Sequence, residues 1–98
     1  MATYIMVGNY TKQGMDKIRG APARIDTARE VIAGLGGQLT CWYLTMGRYD
    51  FVAIVQAPDD ATMARLALAI GSHGNISTET LRAFDEQEFL QIVSDLPY

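Results

Sequence analysis

The chain of 98 residues has little of what cross-linked and metal-binding proteins require, since it contains one cysteine, Cys41, and one histidine, His73. A single thiol forms neither an intrachain disulfide nor a cysteine-based zinc site. One histidine among scattered carboxylates also lacks the spacing of a metal site. We therefore expect no metal and no cofactor, and we interpret Cys41, which lies in an apolar run, as a small buried hydrophobe.

Positive charge and long apolar runs are also scarce. Eight Lys and Arg residues against eleven Asp and Glu residues give a net charge of −3, and the basic residues form no cluster. This balance disfavours a nucleic acid partner and an anionic membrane surface. No apolar run approaches the ~20 residues of a membrane helix, and the amino terminus does not resemble a signal peptide. We expect a cytoplasmic protein.

Residues 40–57 (TCWYLTMGRYDFVAIVQA) predict the central β-hairpin of the chain. β-branched and aromatic side chains on both sides of the turn at 46–50 are typical of strands. Gly47 can adopt the positive φ that a tight reversal often needs, and Pro58 ends the second strand. Both strands are apolar on both faces, whereas a small antiparallel sheet usually has one polar face. We therefore expect a second copy of the chain to cover the second face.

The other segments predict a β-α-β-β-α-β order and a final helix within one domain, residues 1–98. This is the order of the ferredoxin-like α+β fold, which packs two helices on one face of a four-stranded antiparallel sheet. The first and third strands should be central, and residues 76–84 should form a polar edge strand. Pairing of two such sheets would form a dimeric α+β barrel, so the expected partner is the chain itself, as a homodimer or higher homo-oligomer.

The helix ends are predicted from capping residues. Pro22 suits the start of the first long helix, Asp59 and Asp60 suit the start of the second, and Asp85 with Glu88 has capping-box spacing. Pro97 is expected to end the last helix. The first long helix has an apolar stripe at spacings of three and four, and its charged residues are expected to face water. The stripe is Ile25, Ala28, Ile32 and Leu35, and the charged residues are Arg24, Asp26, Arg29 and Glu30.

Three segments of the sequence closely resemble the GYD-domain family of small bacterial and archaeal proteins. They are YIMVGNYT, YLTMGRYDFVAIVQAPDD and GNISTETLRAFDEQEF, and together they extend over nearly the whole chain. Gly47-Arg48-Tyr49-Asp50 resembles the motif that names the family, with one inserted arginine. The resemblance implies a dimeric ferredoxin-like fold and carries no particular activity with it.

The hairpin tip supplies the first candidates for a site. Arg48 would bind an anionic group, Tyr49 would stack on a ligand or donate a hydrogen bond, and Asp50 would orient a ligand or accept a proton. The structural alternative is that Asp50 accepts hydrogen bonds from nearby backbone N–H groups, as aspartates in turns commonly do, while Tyr49 only packs against a neighbour.

Three further residues are candidates. His73 follows the alanine-rich helix and is a candidate general base alongside Tyr49 and Asp50, although a histidine there more often interacts with the last helix carbonyls. Tyr4 and Trp42 are candidates for lining an apolar ligand cavity, although such residues more often belong to a core or a subunit interface.

These residues leave three functions open. The first is a binding protein that holds a small apolar or anionic molecule between the sheet and the helices. The second is a cofactor-free oxygenase or isomerase acting on a small aromatic or dicarbonyl compound, for which the fold is only an analogy. The third is a purely structural or interaction role. Because no convincing acid–base pair is evident, we favour binding over catalysis.

Overall fold

The computed structural model covers residues 1–98 and confirms the predicted ferredoxin-like α+β fold. Its elements are β1 (Ala2–Tyr10), α1 (Lys12–Asp16), a 3-10 turn (Ile18–Gly20), α2 (Ala21–Gly34), β2 (Gln38–Leu44), β3 (Phe51–Ala57), α3 (Asp60–Gly71), β4 (Ile76–Ala83) and α4 (Glu86–Ser94). The strands form one antiparallel sheet in the order β2-β3-β1-β4, so the first and third strands are central, as predicted.

The core lies between one face of the sheet and helices α2 and α3. Alternation along the two central strands turns every second side chain towards the helices. The most deeply buried side chains, each 2% exposed, include Val55 of β3 and Met63 and Leu66 of α3. The complete core cluster is Tyr4, Met6, Ile32, Ala53, Val55, Ala57, Met63 and Leu66.

The helix starts follow the capping signals. The Asp59 side chain accepts a hydrogen bond of 2.8 Å from the backbone N–H of Thr62 and caps α3. Asp85 and Glu88 form the predicted capping box at α4. None of the helices has the length and apolar character needed to cross a bilayer.

Two predicted boundaries differ from the structure. Pro22 is the second residue of α2 and not the first, a position where its missing N–H is equally unneeded. The last helix ends at Ser94, before Pro97. Its early end has a physical reason, because the residue before a proline avoids the helical region and so excludes Leu96.

The prediction that Arg24 faces water is also wrong, because this residue is half-buried. It lies three residues after Ala21 and four before Ala28, so it shares their face of α2. Its side chain is not wholly in solvent, since the guanidinium nitrogen Nη2 is buried. The other charged residues predicted to face water, Asp26, Arg29 and Glu30, are exposed.

The second face of the sheet is rich in apolar side chains and has no buried residue. We call this surface the open sheet face. Tyr43 of β2 is 60% exposed on it and Leu81 of β4 is 45% exposed. Strand pairing places seven apolar side chains there: Ile5, Val7, Cys41, Tyr43, Val52, Ile54 and Leu81.

The helix α4 lies outside the core, since none of its residues is buried. Three of its apolar residues and one residue after its end recur at helical spacing and are 44–57% exposed. We call them the C-terminal apolar face: Phe89, Ile92, Val93 and Leu96. The Cα radius of gyration of 14.9 Å exceeds the about 13 Å of a compact domain of this length, in agreement with an elongated chain.

If a second copy covers the open sheet face, we predict that Ile54→Lys converts the assembly to monomer. Ile54 lies on the open sheet face, opposite Ile5 of β1 and Cys41 of β2. A lysine there would bury an unpaired charge if a second copy covered this face, and burying such a charge is costly. Sedimentation velocity reports the change. The control is Leu68→Lys, at an α3 position that is 75% exposed. An unchanged assembly mass for Ile54→Lys would contradict sheet-to-sheet pairing.

Candidate functional site

Asp50 joins the hairpin loop to the end of β1. Its Oδ2 accepts a hydrogen bond of 2.9 Å from the backbone N–H of Tyr10. Its own N–H donates to the carbonyl of Gly8 at 2.9 Å and to the side-chain oxygen of Asn9 at 3.0 Å. The Asp50 carbonyl accepts from the N–H of Thr45 at 2.8 Å, which closes the loop. The carboxylate of Asp50 therefore already accepts a hydrogen bond from the backbone.

Arg48 and Tyr49 lie on the side of the sheet that faces away from the helices. The Tyr49 hydroxyl donates a hydrogen bond of 2.9 Å to Glu79, which pairs with Val7 and so projects from the open sheet face. This hydrogen bond is the main cause that raises the pKa of Tyr49. The Arg48 guanidinium carbon is 5.6 Å from the centre of the Tyr49 ring, which is within cation–π range.

A cavity of about 300 Å³ lies on the opposite side, between the sheet and helices α2 and α3. We call it the helix-side cavity. Of its 18 lining residues, 14 are hydrophobic. Trp42 belongs to this lining and stacks on Phe51, with ring centres 5.8 Å apart and an interplanar angle of 16°. The cavity is thus an apolar space with an aromatic wall.

The turn after α3 contributes His73 and Asn75 to the same cavity. His73 is exposed, so it lies at the rim. Helix α1 holds this turn in place. Gln13 donates hydrogen bonds to the His73 carbonyl at 2.9 Å and to the Asn75 side chain at 3.0 Å, and the Thr11 N–H donates to the Asn75 carbonyl at 3.0 Å.

Arg24 supplies the positive charge of the cavity. Its Nη1 donates a hydrogen bond of 3.1 Å to the carbonyl of Lys17. Its Nη2 is buried and has no hydrogen-bond partner. No other buried side-chain nitrogen or oxygen of the chain lacks a partner. Tyr10 lies near Arg24. Burial raises the pKa of Tyr10, and the positive charge of Arg24 partly opposes this rise.

Tyr4 lies in a separate cleft of about 220 Å³ beside α3. Its hydroxyl donates a hydrogen bond to the carboxylate of Asp60, and the Arg82 guanidinium carbon is 5.6 Å from its ring centre. Burial, followed by the hydrogen bond to Asp60, raises the pKa of Tyr4 to about 12. Tyr4 is therefore a protonated hydrogen-bond donor at neutral pH.

The six candidates are thus divided among different places. Trp42 and His73 share the helix-side cavity, Arg48 and Tyr49 lie towards the open sheet face, and Tyr4 lines the separate cleft. Asp50 contacts the backbone between them. The sequence interpretation missed Arg24, although its spacing from Ala21 and Ala28 was a signal that it shares their helix face. No group of three His, Cys, Asp or Glu side chains has the geometry of a metal site.

Comparison with solved structures places the fold among known ferredoxin-like α+β proteins. The leucine response regulatory protein of Mycobacterium tuberculosis matches with a TM-score of 0.65 at 15% identity, over 86% of this chain and 51% of that one. This chain therefore spans about half the length of that regulatory protein. The protein TTHA0845 from Thermus thermophilus matches with a TM-score of 0.55 at 28% identity, over 87% of this chain and 95% of that one.

The family model described as the GYD domain matches residues 4–93. The chain therefore belongs to the GYD-domain family, and the resemblance found in the sequence is confirmed. A relative from Thermus thermophilus is 36% identical over 84 residues, which is 85% of this chain and 88% of the relative. That protein is named a glutamine synthetase and cystathionine beta-lyase binding protein.

We predict that Asp50→Ala lowers the free energy of unfolding by about 1–3 kcal/mol, because it leaves the half-buried Tyr10 N–H without its acceptor. Urea denaturation measures the loss. Asp50→Asn retains an acceptor oxygen and should lose less. As a control, Asp16→Ala removes an exposed carboxylate that pairs only with Lys12 and should have little effect. Wild-type stability in Asp50→Ala would refute the structural role.

We predict that Tyr4 contributes to the alkaline limit of stability. Its pKa is raised to about 12 in the folded protein from 10.0, so the folded state binds the hydroxyl proton more tightly than the unfolded state does. The stabilisation is complete below pH 10 and decreases as the pH rises towards 12. Urea midpoints across this range should fall less steeply for Tyr4→Phe than for the wild type. Tyr43→Phe, at a 60% exposed position, should match the wild-type slope. Equal slopes for all three proteins would refute the role of Tyr4.

Proposed function

We propose that the protein is a non-catalytic binding protein that docks on a metabolic enzyme through its C-terminal apolar face. The observation that carries this proposal is the exposure of that face. Phe89, Ile92, Val93 and Leu96 are 44–57% exposed, and their spacing follows the pattern with which an amphipathic helix enters a groove on a partner. Because α4 has no buried residue, the rest of the chain does not supply that groove.

The relative from Thermus thermophilus supports a protein partner. It is 36% identical over most of both chains, and its name states that it binds glutamine synthetase and cystathionine beta-lyase. We extend this kind of partner to the present chain. We propose a cytoplasmic location on the same ground, because both named partners are metabolic enzymes.

We also propose that two copies of the chain associate through the open sheet face. A two-fold dimer buries the same surface on both copies, so one apolar face is covered by its own duplicate. The apolar side chains of Ile5, Val7, Val52 and Ile54 at the centre of the sheet support this arrangement. The C-terminal apolar face belongs to a different element and would remain available to another protein.

The helix-side cavity supports a second binding function, for a small molecule. Its volume of about 300 Å³ lies at the lower end of the about 300–1,000 Å³ of known ligand sites. We propose no catalytic step for it. The candidates Tyr49 and His73 lie on different sides of the sheet, and Asp50 is engaged by backbone, so no acid–base pair supports the oxygenase or isomerase alternative.

The test of enzyme docking uses purified glutamine synthetase and cystathionine beta-lyase from the same organism, immobilised for biolayer interferometry. We expect the wild-type protein to bind at least one of them. The double variant Phe89→Ser/Ile92→Ser should weaken binding at least ~10-fold, because truncation of central apolar anchors costs about 2 kcal/mol or more.

The matched control is Gln87→Ser, which changes a polar residue on the opposite side of α4. It should bind as the wild type does. Circular dichroism of each variant checks that the fold is retained. Failure of both enzymes to bind, or equal affinity of the double variant and the wild type, would refute docking through α4.

A further inference from the structure

We propose that the helix-side cavity binds a small monocarboxylate with an apolar body, and that the ligand carboxylate pairs with the guanidinium group of Arg24. This inference rests on the small-molecule binding proposed above and assigns the chemical class of the ligand. It is independent of enzyme docking, because the C-terminal apolar face contributes no residue to the cavity.

A buried nitrogen of Arg24 lacks a hydrogen-bond acceptor. Buried polar side-chain atoms are almost always hydrogen-bonded, and a charged donor left unpaired in an apolar space is costly. Nη1 of Arg24 is satisfied by the carbonyl of Lys17, whereas Nη2 has no partner in the chain. A carboxylate would satisfy this donor and neutralise the guanidinium charge in one contact, since charge-assisted hydrogen bonds of this kind are the stronger ones.

The remaining lining of the cavity offers no counter-ion to Arg24. No Asp or Glu residue lines the cavity, so no internal anion competes for Arg24. Asp26 pairs with Arg29 at 2.8 Å, and Asp50 accepts from the Tyr10 N–H at 2.9 Å, so both of these carboxylates have other partners. Arg24 is therefore a charged residue of the lining that has no counter-ion in the chain.

The apolar lining of the cavity limits the ligand to one negative charge. With 14 of 18 lining residues hydrophobic, the cavity offers few groups that could solvate an anion. A phosphate monoester would carry more negative charge than one guanidinium neutralises, and burying the excess is costly. A neutral apolar molecule would leave Nη2 unpaired. A monocarboxylate gives Nη2 an acceptor and brings no more negative charge than one guanidinium group neutralises.

The walls also define the body of the ligand. Trp42 and Phe51 form a stacked pair beside the cavity, and the Tyr10 ring centre lies 5.7 Å from that of Phe51. Aromatic and aliphatic surfaces of this kind favour an aromatic ring or a short branched chain. The volume of about 300 Å³ restricts the ligand to a small one. A second copy on the open sheet face would leave the cavity free, because the two lie on opposite faces.

The experiment titrates the full-length protein with 3-phenylpropanoate and with its neutral isostere 3-phenylpropanamide in a calorimeter. The wild-type protein should bind the carboxylate at least ~10-fold more tightly than the amide, because a hydrogen bond to a charged group is stronger than a neutral one. Arg24→Met should lower the affinity for the carboxylate by at least ~10-fold and bring the two affinities together. Arg19→Met, which removes an exposed arginine outside the cavity, should bind as the wild type does.

A second pair of variants tests the location without changing charge. Ala28→Leu adds volume inside the cavity and should weaken the binding of both probes, whereas Ala33→Leu makes the same change at an exposed position of α2 outside the lining.

Equal wild-type affinities for the two probes would overturn the carboxylate assignment and leave small-molecule binding in place. Unchanged carboxylate binding in Arg24→Met or Ala28→Leu would overturn the assigned site. No binding of either probe at millimolar concentration would overturn both the assignment and the small-molecule function, and enzyme docking would still be decided by its own test.

Discussion

β1 and β3 pair along seven residues at the centre of the sheet, and both strands have apolar side chains on both faces. This pairing determines the rest of the structure. One face buries Tyr4, Met6, Ala53 and Val55 under α2 and α3, which creates the core and the space between sheet and helices. The other face has the same central strands and no helix above its centre. A small domain with a two-sided apolar sheet thus has one satisfied face and one face suited to association.

Most of the fold is predictable from the sequence because its signals are local. The alternation in β1 and β3 gives their central position, the polar residues of β4 give an edge strand, and Asp59 and Asp85 mark helix starts whose hydrogen bonds are present. The helix α4 ends earlier than predicted. A proline disfavours the helical conformation of the residue before it, so Pro97 already excludes Leu96 from the helix.

The candidate site is predictable only in part, because its residues come together through tertiary packing. Trp42 and His73 share one cavity although about 30 residues separate them, whereas Tyr49, close to Trp42 in sequence, lies on the other side of the sheet. From the sequence, Arg24 is predicted to be exposed, because charged residues usually lie on the solvent side of a helix. Its flexible stem instead lines the apolar cavity and leaves one guanidinium nitrogen buried, which periodicity alone does not indicate.

The nine residues of α4 have a thermodynamic consequence. Helices shorter than about 12–15 residues are marginal in water, and most helices in proteins are maintained by the packing of one face. Here the capping box of Asp85 and Glu88 supplies local stabilisation, while no side chain of α4 is buried. If α4 docks on a partner as proposed, association would therefore stabilise the helix. A partner that covers Phe89 and Ile92 would also provide the missing tertiary packing, so the heat-capacity decrease on binding should include any folding of helix that is frayed in the free chain.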